Sequence, residues 1–316
     1  MTITSTKVVK IALACNLCIM AVKGIAAWLS GSSALFSETL HSLADSINSV
    51  LLLVGIQAAA RPPDGKHPFG YSRAIYFWSL IGAVLMFGVI ASASLFRGLE
   101  QIIHGGEIEY VELAIACTAL STAFEGVAVY YAIKGIHASK SSVTRHKKGI
   151  LNAYRGSGDP TIKMVLIEDC LSLSGVIIAL VGLVGVSVLG MHRIDGFAGL
   201  IIGFMIGVFA LYLIDENRKR LLGESASIEM EEAIRRYALS DPDIVNVLSL
   251  KTIQVGANKV LVYLVIELEP KLLIEDVREI TRSIEKRIVD GIPEVIDCFI
   301  EMDTPTPDKT KINGEK

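Results

Sequence analysis

Six stretches of the chain, 8–29, 34–60, 74–99, 111–133, 161–184 and 194–214, are predominantly apolar. About 20 apolar residues in a helix are enough to cross a hydrocarbon layer of ~30 Å, so each stretch predicts a membrane span. The polar connections differ in charge. Those between spans two and three, and between four and five, carry Arg61, Lys66 and Arg73, then Lys140, Arg145, Lys147, Lys148 and Arg155; Arg218, Lys219 and Arg220 follow span six. On the opposite side, 31–33 is uncharged, the connection between spans three and four holds Glu107 and Glu109, and Arg193 stands alone between spans five and six. By the positive-inside rule both termini face the cytoplasm. Lys10 is followed by too short an apolar run before Cys15 for a cleaved signal peptide, and the run continues to Leu29, so a retained helix is expected.

Beyond about Glu224 the pattern becomes that of a soluble domain. Ser227 is placed to cap a helix reaching Tyr237. Residues 245–255 and 260–269 read as strands; in the second, Val260, Val262, Leu264, Ile266 and Leu268 alternate onto one face. Gly256, Ala257 and Asn258 suit the turn between them. Val277, Ile280, Ile284 and Ile288 make one stripe of a helix, and 294–302 reads as a last strand. The order αββαβ predicts helices packed on one face of a small sheet. The expected organisation is a six-helix transmembrane domain over 1–220, an α+β domain over 221–303 and a disordered tail over 304–316, where Pro305 and Pro307 stand among mostly polar residues. A domain of ~80 residues holds a modest core and gains stability by pairing with a copy of itself.

Composition agrees with a membrane protein. Of 316 residues 52% are hydrophobic, and the mean hydropathy is +0.52. The net charge of -3 gives no reason to expect a nucleic-acid partner. The five cysteines, at 15, 18, 117, 170 and 298, form no paired framework, so disulfides are not expected.

Charged side chains inside the apolar stretches carry the chemistry. His41 and Asp45 are four residues apart in span two; on a helix that offsets them by ~40° and ~6 Å, so imidazole and carboxylate point the same way. Ionisable groups at membrane depth default to a functional reading, and His with carboxylate is a ligand set for first-row metals. The alternative is a pair hydrogen-bonded to neighbouring helices. Span five holds Glu168 and Asp169. Asp45 lies ~17 Å from the outer end of its span and Asp169 ~22 Å from that of its own, depths at which the two could share one divalent ion. Otherwise Asp169 would pair with Lys23, the basic residue well inside a span, for which Glu125 in span four is an equal candidate. Glu168 is rotated by ~100° from Asp169 and ranks behind it. Cys170 reads as a packing thiol. Asp195 reads as the start of span six, and Glu224 is spaced to pair with Arg220.

With these residues the chain resembles the cation diffusion facilitator family. The likeness rests on His41-xxx-Asp45, on Arg61-Pro-Pro-Asp-Gly-Lys-His-Pro-Phe-Gly-Tyr71, and on Glu168-Asp169-xxxx-Ser174-Gly-Val176, within six spans and an αββαβ tail. The resemblance implies a mainly α membrane protein with a cytoplasmic, ferredoxin-like α+β domain. It implies an exporter of Zn²⁺, or of Mn²⁺, Fe²⁺ or Co²⁺, driven by proton antiport, working as a homodimer in a bilayer such as the bacterial inner membrane. The metal is then cargo, with no permanent cofactor, and His41, Asp45 and Asp169 are the implied ligands, Glu168 after them. Two departures stand out. Where the commoner pattern has His or Asp four residues before the span-five aspartate, this chain has Val165, as in the family's Glu-Asp branch. In the loop after span two, Asp64 and His67 match a peripheral metal site of relatives, but Tyr71 replaces its second histidine, which implies a weak half site. The α+β domain has no histidine, so it reads as a dimeriser rather than a metal sensor. A membrane sensor or scaffold is the other class considered. An intramembrane metalloenzyme would call for a His-Glu-x-x-His helix, which the chain lacks.

Overall fold

The structure is a computed structural model that describes residues 2–138, 160–256, 259–269 and 272–303. The tail expected to be disordered, 304–316, and two residues of the expected turn, 257 and 258, lie outside the described residues, as does the whole of the basic stretch 140–155. Two compact units emerge, one of residues 1–53 and 79–215, the other of 54–78 and 216–316.

The first unit is helical. In chain order the helices are α1 (Thr2–Ser30), α2 (Ser33–Ala59), α3 (Ala74–Leu85), a π-helical segment Met86–Ala91, α4 (Ser92–His104), α5 (Val111–Ala138), α6 (Pro160–Leu189) and α7 (Arg193–Leu222). Among the described residues, five stretches are long and apolar enough to cross a membrane: Ser33–Ala59, Ala74–His104, Val111–Lys134, Leu166–Leu189 and Arg193–Leu222; in α1 the described apolar part is Asn16–Ser30. The chain is therefore a multi-pass integral membrane protein. Pro160 opens α6, as a residue with no N–H to leave unpaired is suited to do. Gly105, at φ +65°, ends α4 in the left-handed conformation, and its N–H returns to the Gln101 carbonyl.

Packing in this unit depends on small residues that let helix backbones approach. A Cβ at Gly98 of α4 would lie 2.6 Å from the Leu200 nitrogen of α7, and one at Gly199 of α7 would lie 3.0 Å from the Ser33 carbonyl of α2. At that crossing Asp195 does more than start its own helix. It is fully buried, and its Oδ2 accepts from the Ser33 N–H at 2.5 Å, the Ala34 N–H at 3.3 Å and the Ser33 hydroxyl at 2.9 Å, while Oδ1 accepts from the Ser32 hydroxyl at 2.5 Å. The acid in the first turn of α7 thus caps the N-terminus of α2, where unpaired N–H groups and the helix dipole favour negative charge.

The second unit follows the expected αββαβ order: α8 (Ile228–Ala238), β1 (Ile244–Gly256), β2 (Lys259–Leu268), α9 (Ile274–Gly291) and β3 (Val295–Met302). Ser227 caps α8 by accepting the Met230 N–H at 3.3 Å. The sheet order is β1-β2-β3, with β1 antiparallel and β3 parallel to β2. Val260, Val262, Leu264 and Ile266 of β2 are buried against Ile234 of α8 and Ile280, Ile284 and Ile288 of α9, so one sheet face and two helix stripes make the core. The loop before α3 belongs to this unit: Lys259 Nζ donates to the Ser72 hydroxyl at 3.0 Å, and Phe69 meets Phe299 edge-on with ring centroids 6.5 Å apart. Arg220 does not take Glu224, as its spacing suggested. Gly223, at φ +89°, turns the chain out of the helix before Glu224, and Arg220 binds Glu216 one turn back, at 2.8 Å from Nη2 and 3.2 Å from Nε.

Candidate metal centre

α2 presents Glu38, His41 and Asp45 on one face, at i, i+3 and i+7. His41 is 2% exposed, and its Nε2 lies 3.9 Å from Asp45 Oδ2, so the spacing read from the sequence does bring imidazole and carboxylate together. Both ring nitrogens of His41, Asp45 Oδ1 and Glu38 Oε1 are buried without a hydrogen-bond partner among the described residues. Buried polar atoms are normally bonded, so an imidazole nitrogen and a carboxylate oxygen left unbonded on one helix face suit cation donors. From α6, Glu168 acts electrostatically on His41 and Asp45, and Asp169 acts on Asp45. The helical wheel had put Glu168 behind Asp169; in the fold Glu168 is the α6 carboxylate that acts electrostatically on the imidazole. Glu125 of α5 acts on Asp45 and Asp169. Among the described residues no three His, Cys, Asp or Glu side chains converge tightly enough to cage one ion. The arrangement is a cluster of charged groups from three helices around one close pair, His41 and Asp45.

Lys23 does not serve Asp169. Its ammonium, 1% exposed, sits 3.1 Å from Glu38 Oε2 and 3.7 Å from Glu125 Oε1. Glu125 was legible as a partner. Glu38 was not, although its position three residues before His41 inside an apolar stretch was the available signal. Cys170 is exposed and Cys298 buried, and both are free thiols.

In the loop after α2, Asp64 and His67 come together in a hydrogen-bonded turn. Asp64 Oδ1 accepts the N–H of Lys66 at 2.9 Å and of His67 at 2.8 Å, and Oδ2 accepts the Tyr71 hydroxyl at 2.7 Å. The His67 ring lies 4.1 Å from that of Tyr71 and its Nδ1 is 3.6 Å from Asp64 Oδ1. The Tyr71 hydroxyl thus closes the turn on the Asp64 carboxylate. The Tyr71 hydroxyl, followed by the His67 N–H, holds the Asp64 carboxyl below its ordinary 3.8. A depressed carboxyl contributes to folding above its unfolded value and loses that contribution as pH falls through the folded one, so the turn holds at neutral pH and loosens only in acid. Tyr71→Phe is expected to return the Asp64 titration toward 3.8, read by carboxyl ¹³C NMR, without creating zinc affinity in the loop; an unmoved titration would show that the hydroxyl bond does not form.

Comparison with known proteins gives the family. The family model described as the cation efflux transmembrane domain matches residues 9–222, and that described as the cation efflux protein, cytoplasmic domain, matches 227–305. The chain is 32% identical over 236 residues to the mouse "Proton-coupled zinc antiporter SLC30A9, mitochondrial", covering 74% of this chain and 41% of the relative. It is 29% identical over 252 residues to "Metal tolerance protein C4" of Arabidopsis thaliana, 80% and 54% of the two chains. The chain thus spans about half the length of these relatives. Against "Magnetosome protein MamB" of Paramagnetospirillum magneticum it is 24% identical over 294 residues, 92% and 91% of the two. The two matches together cover most of the chain, which belongs to the cation efflux family, a family of transporters rather than enzymes.

Proposed function

We propose that the chain is a secondary transporter that exports a divalent cation, Zn²⁺ first, from the cytoplasm in exchange for protons. The observation that carries this reading is the set of unpartnered buried atoms of His41 and Asp45, at 3.9 Å, with Glu168 and Asp169 acting on them from α6. A dehydrated carboxylate needs counter-charge, and one divalent ion serves several at once. His41 supports zinc, because imidazole suits it, while the surrounding carboxylates also admit Mn²⁺, Fe²⁺ and Co²⁺. Proton exchange follows from the ligands themselves: they bind metal only when deprotonated, so ion and protons compete. The mouse relative's name points the same way. The positive connections support cytoplasmic termini. The description of the second family model supports a cytoplasmic 221–303, which we take as the surface that pairs two copies; Asp64 and His67 have no transport role in this reading.

The test is uptake by inside-out vesicles carrying the full chain, with an acidic lumen and a panel of Zn²⁺, Mn²⁺, Fe²⁺ and Co²⁺. Zn²⁺ accumulation that collapses on adding a proton ionophore is expected. Failure to accumulate any of the four ions would end the transporter reading, and accumulation indifferent to the ionophore, with no proton movement, would end the antiport part of it.

A further inference from the structure

Two groups on α2 face one small cavity with nothing bonded between them. His41 directs Nε2 toward Asp45, which sends the diverging Nδ1 to the other side of the ring, where it is buried and unpartnered among the described residues. Glu38, three residues earlier on the same face, gives Oε2 to Lys23 at 3.1 Å and leaves Oε1 buried and unpartnered. Glu38 and His41 line the same cavity, with Leu171 and Gly175 of α6 and Ile202 and Met205 of α7. A Cβ at position 175 would collide with Glu38 Oε1, so glycine there leaves the oxygen its place. Glu38 is also the leading charged neighbour of His41.

A histidine that binds metal through one nitrogen normally donates the other N–H to a carboxylate or carbonyl, which sets its tautomer and ring orientation. Here the waiting donor is Nδ1 and the waiting acceptor is Glu38 Oε1. We propose that Glu38 is the positioning residue for His41, its Oε1 accepting the Nδ1 hydrogen when Nε2 takes the cation, and that Lys23 on Oε2 holds the Glu38 carboxyl in place. This rests on the transport-site reading of His41. A packing pair of Lys23 and Glu38 explains their contact, but not why both facing atoms are left unbonded in a cavity that excludes other donors. The relay runs from α1 through α2 to the ion, and Glu125, 3.7 Å from Lys23, ties α5 to its far end.

The experiment measures Zn²⁺ binding by chelator competition to the full chain purified in detergent, together with the ¹⁵N signals of the His41 ring. Glu38→Ala is expected to weaken binding about 10–100-fold, the usual effect of losing such a partner, and to shift the Nδ1 signal of the zinc-loaded ring. Lys23→Met should weaken binding less, and add nothing in the Glu38→Ala background, because it acts through Glu38. Binding by Glu38→Ala within about twofold of the parent, well short of that range, with an unmoved ring signal, would overturn the proposal; so would independent, multiplying effects of the two substitutions. If Glu38→Ala does not fold, the near-isosteric Glu38→Gln carries the test: a moved Nδ1 signal supports the contact and an unmoved one refutes it. His41→Ala separates the two claims. Parent-like binding by it would sink the transport site itself, whereas its loss beside intact Glu38 variants would sink only the relay.

Discussion

Alanine at His41, Asp45 or Asp169 is expected to reduce divalent-cation transport to background in a chain that still inserts in the membrane. Each removes a donor from a cluster in which only His41 and Asp45 already meet, at 3.9 Å, so little redundancy remains. Glu168→Ala is expected to match Asp169→Ala, because Glu168 acts on both members of that pair. Vesicle transport normalised to the amount of folded protein checks all four. Normal transport by Asp169→Ala would remove α6 from the site, and normal transport by Asp45→Ala would refute the site altogether. Damage from Glu168→Ala clearly smaller than from Asp169→Ala would restore the order suggested by the helical wheel.

Asp195→Ala is expected to have the largest effect on stability. The substitution leaves the N–H groups of Ser33 and Ala34 and the Ser32 hydroxyl without their acceptor in a buried crossing, while the Ser33 hydroxyl keeps the Asp195 carbonyl at 3.0 Å. Bonds to a charged acceptor contribute about 1.5–3 kcal/mol each and are not additive; a net loss of about 3 kcal/mol would lower the melting temperature by roughly 5–10 °C in a unit of this size. Asp195→Asn keeps one acceptor oxygen and should lose less. Thermal unfolding of the purified full chain measures both, and a melting temperature unchanged in Asp195→Ala would show that the cap is not needed. Because α2 carries His41 and Asp45 within its first four turns, the same substitution should also weaken cation binding.

The six apolar stretches, the change to a soluble pattern near Glu224 and the αββαβ order were all legible in the sequence. Burial imposes a period on each: continuous apolarity on a helix facing lipid, alternation on β2, a 3–4 spacing for Ile280, Ile284 and Ile288. His41 and Asp45 were legible for a related reason. A pair four residues apart is a local property of one helix, needing no knowledge of neighbours. Helix ends were less visible, since α7 runs on to Leu222 through charged residues where apolarity no longer marks it. What lies between helices was decided by tertiary structure alone. Lys23 chose Glu38 and Glu125, Glu168 came to act on His41, Asp195 capped a helix more than 150 positions away in the chain, and Tyr71 closed on Asp64. Each is a contact between side chains whose separation depends on helix rotation and crossing or on the course of a loop. Those are set by how small residues such as Gly98 and Gly199 let backbones meet, and hydropathy does not record them.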